Sequence, residues 1–266
     1  MEAIAQQVGH GAIVPGRPGD LGRPRLTHLG EHLGVRLWLA HLDEDLSADE
    51  AALLCEQELQ RAARHHREED RRRRRVARWA LRIVLAQTLG LEPATLRFQT
   101  DPQGKPHLAG SGRAACHFNL SHAQDLALIG VCAQAPVGVD LEILAPVADL
   151  AGVSSLVFTP AERDELARQA GAYDTAFLRG WTRKEACLKA VGTGLGLDPA
   201  GVEVGLSTQD REVRLHLPSH GARAIVALRS LPASGMDGTQ TPWVAAVARL
   251  VGTTGAWPEV GGVGSC

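Results

Sequence analysis

The sequence predicts an α+β protein whose strands pair largely antiparallel. Helices begin at clear capping signals, such as Ser47 followed three residues later by Glu50. The strands are short, and turn residues separate most of them. Each half of the chain runs from helices to strands. This order leaves a duplicated architecture open, although no repeat is visible residue by residue.

In the first half, residues 1–34 are rich in Gly, Pro and His without periodicity, and they predict a flexible leader. Residues 35–39 alternate in polarity as a strand does. The capping box at Ser47 opens a helix that is expected to run to about Arg64. A second helix is expected to end at Gly90, a plausible residue just past a helix end. The strands that follow are predicted at 96–100, 116–120 and 126–131.

The second half opens with a predicted strand at 137–142. Thr159 and Glu162 form the start signal of a helix, and the next helix covers 176–191 and closes at Gly192. The remaining strands are predicted near 202–206, 212–217, 222–228 and 243–250. The chain therefore divides into a leader at 1–34, an N-terminal α/β subdomain at 35–135, a C-terminal α/β subdomain at 136–250 and a loose tail at 251–266.

Composition narrows the class of protein. The 266 residues are 44% hydrophobic and carry a formal net charge of −2, so the total charge does not call for nucleic acid or an anionic membrane. The five cysteines are widely spaced and lack a CxxC pair, which disfavours a disulfide framework or a zinc site and indicates a reducing cytoplasm. No apolar run reaches the ~20 residues of a membrane helix, and a signal peptide is not evident.

Two short segments carry the strongest chemical signal. Asp140 and Glu142 are two apart in the predicted strand and therefore point the same way. Glu185 and Lys189 are four apart in the predicted helix and share one face. If the helix packs beside the end of the strand, three carboxylates and an ammonium converge, and such hard oxygens suit Mg²⁺ and a phosphorylated ligand. The plainer alternatives are surface carboxylates and a helical salt bridge worth ~0.3–0.5 kcal/mol.

Three further polar segments have both a structural and a functional interpretation. Lys105 lies in a hairpin-like turn, where a solvent-facing lysine is the plainer alternative. Ser121 and His122 end a strand; they are adjacent and lack a G-x-S-x-G elbow, which argues against a hydrolase, but they could donate hydrogen bonds to phosphate oxygens. The Arg71–Arg75 run adjoins acidic residues and is typical of a solvated helix face, or of a site for a ligand phosphate or an acidic protein.

Five segments, taken in order, resemble the surfactin-type (Sfp-like) 4′-phosphopantetheinyl transferases. They are QGKP, FNLSHA, GVDLE, FTPAE and WTRKEACLKAVGTGL, and the match runs from about residue 35 to about residue 250. The resemblance implies two similar α/β halves related by a pseudo-twofold, with coenzyme A and Mg²⁺ in the cleft between them. A monomer is expected, because a duplicated chain encloses the cleft by itself.

The resemblance also implies roles for the matched residues. Asp140, Glu142 and Glu185 are expected to form the metal site around the pyrophosphate of coenzyme A, and Lys189 is expected to pair with the phosphates. Lys105, in a loop shaped by Gly104 and Pro106, is expected to hold the nucleotide end and its 3′-phosphate together with Ser121 and His122. Arg61 and Arg73 match basic positions that contact coenzyme A in relatives. Glu162 matches a recurring family acid without a specified role.

The implied reaction moves 4′-phosphopantetheine from coenzyme A to a serine hydroxyl of an acyl or peptidyl carrier protein, releasing 3′,5′-ADP. A divalent cation and Lys189 would neutralise the developing charge. Glu185 is the candidate base, directly or through a metal-bound water, with Glu142 as the second choice. Residues 143–147 depart from the pattern, because they are apolar where relatives often carry a basic residue. A non-catalytic module that binds coenzyme A or a carrier protein remains the alternative, and a Mg²⁺-dependent phosphoesterase lacks a two-metal signature here.

Overall fold

Two four-stranded antiparallel sheets organise the chain in the computed structural model, which describes residues 25–110, 116–192, 196–217, 221–231, 241–254 and the backbone of 263–265. The first sheet has the order β1-β2-β6-β5 and the second β7-β10-β9-β8, while a small third sheet has the order β11-β3-β4. The strands are β1 (Leu26–His32), β2 (Val35–His41), β3 (Phe98–Thr100), β4 (Pro106–Leu108), β5 (His117–Ala123), β6 (Leu126–Cys132), β7 (Val137–Ile143), β8 (Arg211–Leu217), β9 (Ala222–Leu231), β10 (Trp243–Thr254) and β11 (Val263–Ser265).

Helices cover these sheets in both halves of the chain. The described helices are α1 (Ala48–Ala51), α2 (Glu56–Ala63), α3 (Glu68–Leu89), α4 (Leu150–Val157), α5 (Pro160–Ala167) and α6 (Tyr173–Val191), with short 3₁₀ turns at Pro93–Thr95 and Pro199–Gly201. The expected mixed α+β class with antiparallel pairing is therefore confirmed. The pseudo-twofold relation between the halves stays a prediction.

Both chain ends differ from the sequence prediction. The predicted leader is too long, because its last part forms β1, which pairs antiparallel with β2. This pairing places the His28 ring against Trp38, with 5.0 Å between the ring centroids. The register slips between His28 and Gly30, and this bulge hides the alternation that marks a strand. The tail also contains structure, because β10 continues to Thr254 and β11 pairs with β3. The rest of the leader, at 1–24, and residues 255–262 of the tail lie outside the described residues.

The helices of the first half follow the capping signals with one interruption. The capping box of Ser47 and Glu50 is present, but it opens only the single turn of α1. A new helix begins after Cys55, whose backbone N–H donates to the Glu58 carboxylate at 2.9 Å. The single helix predicted to Arg64 is therefore two helices. The end of α3 is as predicted, because Gly90 adopts the left-handed conformation at φ +66°.

The strand predicted at 202–206 is wrong. Its backbone groups bind side chains of two helices instead of a neighbouring strand. The Glu162 carboxylate accepts from the N–H groups of Val204 and Gly205 at 2.7 and 3.1 Å. From α6, Lys184 donates to the carbonyl of Val202, and Arg183 donates to that of Val204. A periodicity argument cannot detect this, because the polar partners lie some twenty to forty residues away in sequence.

Three apolar layers hold the sheets and the long helices together. One cluster packs α3 against the outer face of the first sheet, and another packs α6 against the second sheet. Between the two sheets, residues such as Leu37, Leu128, Val139 and Val247 are fully buried. Within the described residues, no helix combines the length and apolar character that a membrane crossing requires.

We expect Lys184→Met to lower the free energy of unfolding by about 3 kcal/mol, because it leaves the buried Glu162 carboxylate without its ammonium partner. The two side chains are 0% and 1% exposed, and their charged atoms lie 2.7 Å apart. Urea unfolding followed by circular dichroism measures the change. Glu203→Gln is the matched control, because its pair with Arg211 is exposed and should contribute less than about 1 kcal/mol. Equal effects of the two variants would contradict the prediction.

Candidate active site

The site forms where helix α6 lies directly on strand β7. Gly138 makes this approach possible, because a Cβ atom there would lie 2.1 Å from the Ala186 carbonyl oxygen and 2.4 Å from the Ala190 nitrogen. The close packing brings the polar face of α6, with Glu185 and Lys189, beside the carboxylates of β7. Position 138 must therefore be glycine, because every other residue would add a Cβ atom at this contact.

Asp140 is the centre of this arrangement. Its side chain is only 4% exposed, and its Oδ1 accepts hydrogen bonds from Ser121 Oγ at 2.8 Å and from Lys189 Nζ at 2.5 Å. Its Oδ2 is buried and accepts no hydrogen bond from any described residue. Burial raises the pKa of Asp140, while the Lys189 ammonium acts in the opposite direction. A second buried oxygen without a donor is suited to bind a cation.

Glu142 and Glu185 are half-buried carboxylates close enough to interact with the charge of Asp140. Burial raises the pKa of both, and the charge of Asp140 raises each further. The indole of Trp181 donates a hydrogen bond to Glu142, which acts to lower the pKa of that carboxyl group. Glu185 Oε2 lies 4.0 Å from Lys189 Nζ. Mutual repulsion among desolvated carboxylates favours a bound cation or a bound proton.

The three predicted metal ligands fit a divalent cation by donor chemistry. They supply hard carboxylate oxygens, and the buried Asp140 Oδ2 lacks a hydrogen-bond donor among the described residues. In the part of the chain that the structure describes, however, no three His, Cys, Asp or Glu side chains converge closely enough to hold a metal ion. Lys189 binds Asp140 directly in this arrangement.

The structure separates Ser121 from His122, which the sequence analysis placed together at the nucleotide end. Adjacent residues of a strand point to opposite faces. Ser121 therefore bridges to Asp140 and accepts from Lys189 at 3.2 Å, whereas His122 lines a cavity. Asn119, whose role the sequence did not indicate, accepts from the backbone N–H of Val139 at 2.9 Å. The strands β5 and β7 of the two sheets are thus joined at the site.

A cavity of about 500 Å³ lies on the other side of β5. Its wall is formed by α2, α3, the loop before β4 and the end of β5. The lining residues are Glu58, Arg61, Arg74, Ala77, Arg78, Leu81, Thr100, Gly104, Pro106, Asn119, Leu120 and His122. Burial lowers the pKa of His122, and the nearby charges of Arg74 and Lys189 lower it further. Three arginines and one glutamate among the lining residues give the wall a net positive charge.

Most arginines of the α3 run have carboxylate partners. Arg72 and Arg73 both bind Asp125 in the β5–β6 turn, the first through Nη2 at 2.9 Å and the second through Nε at 2.9 Å and Nη2 at 3.2 Å. Arg75 binds Asp45 and Glu68. These pairs explain most of the run as anchors of α3 to neighbouring loops.

Two arginines on the cavity wall have no such partner. Arg61 was predicted from the resemblance, and Arg74 belongs to the Arg71–Arg75 run without having been singled out. Arg73, also predicted from the resemblance, does not line the cavity, and its contact with coenzyme A stays a prediction. Neither Arg61 nor Arg74 forms an ion pair with any described residue. The helical spacing of Arg74 and Arg78, four apart, is the signal that could have identified the cavity-facing stripe.

The loop of Gly104, Lys105 and Pro106, which the resemblance assigns to the nucleotide end, borders the cavity through Gly104 and Pro106, while its lysine turns away from it. Gly104 adopts φ +90°, and the backbone N–H of Lys105 donates to the Asp101 carboxylate at 2.7 Å. The Lys105 ammonium donates to the Val137 carbonyl at 3.1 Å and to the carbonyls of Lys189 and Ala190. The contact of Lys105 with a nucleotide stays a prediction from the resemblance.

Comparison with protein families matches both halves of the chain. Residues 136–247 match the model of the 4′-phosphopantetheinyl transferase superfamily. Residues 41–134 match a model described as 4′-phosphopantetheinyl transferase, N-terminal. The boundary between the two matches falls just before β7, close to the predicted boundary at 135–136.

Individual relatives agree with the family models. The Synechocystis sp. protein slr0495, which carries a provisional 4′-phosphopantetheinyl transferase name, is 33% identical over 80% of this chain and 86% of its own length. The 4′-phosphopantetheinyl transferase HetI of Nostoc sp. is 40% identical over 65% of this chain and 73% of its own length. The 4′-phosphopantetheinyl transferase Sfp of Bacillus subtilis is 26% identical over 69% and 82%, respectively.

We expect Gly138→Ala to destabilise the protein by at least about 2 kcal/mol, because the added methyl group would collide with the backbone of α6 rather than with a movable side chain. Thermal unfolding gives the change in stability. Gly201→Ala is the matched control, since a Cβ at Gly201 would meet no heavy atom within 4 Å. A Gly138→Ala protein as stable as the control would show that α6 does not need this close approach.

Proposed function

The chain belongs to the 4′-phosphopantetheinyl transferase superfamily, and from that premise we propose that it transfers 4′-phosphopantetheine from coenzyme A to a carrier-protein serine, releasing 3′,5′-ADP. The carrier is an acyl or peptidyl carrier protein. The observation that supports this proposal most strongly is the contact of Lys189 with the buried Asp140, flanked by two carboxylates of raised pKa. A cationic cavity next to this group can accept the nucleotide end.

Arg61 and Arg74 are the proposed ligands of the nucleotide phosphates. Both line the cavity and form no ion pair with described residues, so a bound phosphate would not have to displace a carboxylate. Guanidinium groups bind phosphate through two parallel hydrogen bonds. His122 lies on the same wall, and its imidazole can donate a further hydrogen bond. A Cβ atom at Gly104 would meet no heavy atom within 4 Å, so the wall is open at this loop.

Lys189 is proposed to hold the diphosphate bridge and to neutralise charge on the leaving oxygen. Its side chain is 29% exposed, so it can reach a ligand while Ser121 and Asp140 fix its position. The attacking hydroxyl belongs to the carrier protein, and a carboxylate must accept its proton. Glu185 is the proposed base, because its raised pKa lies closer to neutrality and the structure gives it no hydrogen-bond donor among the described residues. Glu142 is the second choice.

Asp140, Glu142 and Glu185 are the proposed ligands of Mg²⁺. When bound, the cation would stabilise negative charge on the phosphate oxygens. The pKa shifts of Glu142 and Glu185 have the sign expected when carboxylates of one site repel one another.

The cellular setting follows from the same proposal. We propose a cytoplasmic monomer that acts on a carrier protein and coenzyme A, without nucleic acid or membrane as a partner. The ion pairs of the arginine run argue against a nucleic-acid partner, because four of its arginines already bind carboxylates. These are Arg71, Arg72, Arg73 and Arg75. A continuous basic surface for a nucleic-acid backbone is therefore interrupted.

The transfer reaction is tested by intact-mass spectrometry of an apo carrier protein incubated with coenzyme A, Mg²⁺ and the enzyme. We expect the carrier to gain the mass of one phosphopantetheine group. EDTA in the reaction should prevent this gain, and excess Mg²⁺ should restore it. Glu185→Gln should reduce turnover about 100-fold or more, because it removes the proton acceptor and one charged ligand. Glu203→Gln, which changes an exposed acid that pairs with Arg211, should retain full activity. Carriers that stay unmodified while coenzyme A binds would favour the non-catalytic binding module.

Arg74→Met tests the nucleotide site separately from the chemistry. We expect the KM for coenzyme A to rise about tenfold, because one charge-assisted phosphate contact is lost. If Arg74 binds the 3′-phosphate, the KM for dephospho-coenzyme A should change little. Arg71→Met is the control, since Arg71 is on the same helix but binds Glu68. An Arg74→Met enzyme that keeps its preference for coenzyme A over the dephospho form would contradict this assignment.

A further inference from the structure

We infer that Lys105 is a positioning residue that ties the loop before β4 to the ends of β7 and α6, rather than a ligand of the nucleotide. This inference concerns the proposed site and rests on the proposed function only for its kinetic consequences. Its direct evidence is the destination of the Lys105 ammonium, which lies among backbone carbonyls of the opposite half of the chain.

Three carbonyl oxygens surround the Lys105 ammonium. One belongs to Val137, the first residue of β7, at 3.1 Å. The other two belong to Lys189 and Ala190 in the last turn of α6, the second at 3.4 Å. An ammonium has three donors and no acceptor, so these contacts use its full capacity. The cavity wall includes Gly104 and Pro106 but does not include Lys105.

The last turn of a helix needs such a partner. No N–H group of the helix itself donates to its final carbonyl oxygens, and the helix dipole places partial negative charge on them. Gly192 caps α6 with φ +74° and bonds back to the Leu188 carbonyl, while the carbonyls of Lys189 and Ala190 bind Lys105. Although part of the lysine stem is accessible, burial of the ammonium lowers the pKa of Lys105 to about 8. A side chain held at this depth is not free to follow a ligand.

The position of this tether matters for the site. Val137 lies three residues before Asp140 on β7, and the carbonyl bound on α6 is that of Lys189 itself. Lys105 therefore fixes, from the first half of the chain, the strand and the helix that carry the Asp140–Lys189 contact. Without it, we expect the end of α6 to fray and Lys189 to hold the phosphates less well.

Hydrogen exchange of Lys105→Met tests the tether without any substrate. We expect amides of residues 187–192 to exchange about tenfold faster than in the unmodified protein, because the end of α6 opens more often. Gln103→Met is the matched control, since Gln103 is an exposed residue of the same turn, and it should leave this exchange unchanged. If Lys105→Met does not fold, Lys105→Gln, which retains two N–H donors, takes its place in the same measurements.

Binding of coenzyme A and dephospho-coenzyme A, measured by calorimetry, separates positioning from ligand contact. If Lys105 acts as a tether, the Kd for dephospho-coenzyme A divided by the Kd for coenzyme A should stay within about twofold of its value in the unmodified protein, because no contact with the 3′-phosphate is lost. The kcat should fall together with the faster exchange. Unchanged exchange at 187–192, or a Kd ratio that falls as in Arg74→Met, would overturn the inference. If the unmodified protein binds neither nucleotide, the proposed function fails while the exchange result still decides the role of Lys105.

Discussion

The buried carboxylate of Asp140 is the constraint on which the site depends. A charge at this depth is costly unless hydrogen-bond donors and a cation compensate it. Ser121 supplies a donor from the first sheet and Lys189 supplies the cation from α6, so one carboxylate requires three elements to meet. Gly138 then lets the helix lie close enough for this contact. The charge that makes the site chemically useful also determines how its surroundings must pack.

The arginines of α2 and α3 divide into structural and available charges. Arg72, Arg73 and Arg75 bind carboxylates of neighbouring loops, which fixes α3 relative to the β5–β6 turn that follows Ser121 and His122. Arg61 and Arg74 line the cavity without ion pairs among the described residues. The paired set reduces the net field of the run, while the unpaired set concentrates positive charge where a phosphate would bind. Under the proposed function, ligand recognition depends on which arginines lack an internal partner.

The sequence predicted those features that depend on capping residues and on the spacing of residues within one helix or strand. The α+β class, the end of α3 at Gly90 and the shared face of Glu185 and Lys189 follow from capping and spacing. Features that depend on distant partners were missed. Segment 202–206 has the composition of a strand, but its backbone binds Glu162 and Lys184. Likewise, adjacent arginines look equivalent in sequence. Only the fold shows that Arg73 binds Asp125, whereas Arg74 lies on the cavity wall.

The same reasoning explains why α6 carries basic residues on two faces. Successive helical residues are turned by ~100°, so Lys184 cannot share the direction of Glu185. Lys184 is buried against Glu162 and the backbone at 199–202, while Lys189 faces Asp140 on the opposite side of the helix. A buried ion pair adds little net stability compared with apolar packing, but it is specific in direction. With the Lys184 contacts on one face and Gly138 against the other, α6 cannot rotate without breaking a buried pair or colliding with β7. Lys184 thereby fixes the orientation in which Lys189 meets Asp140.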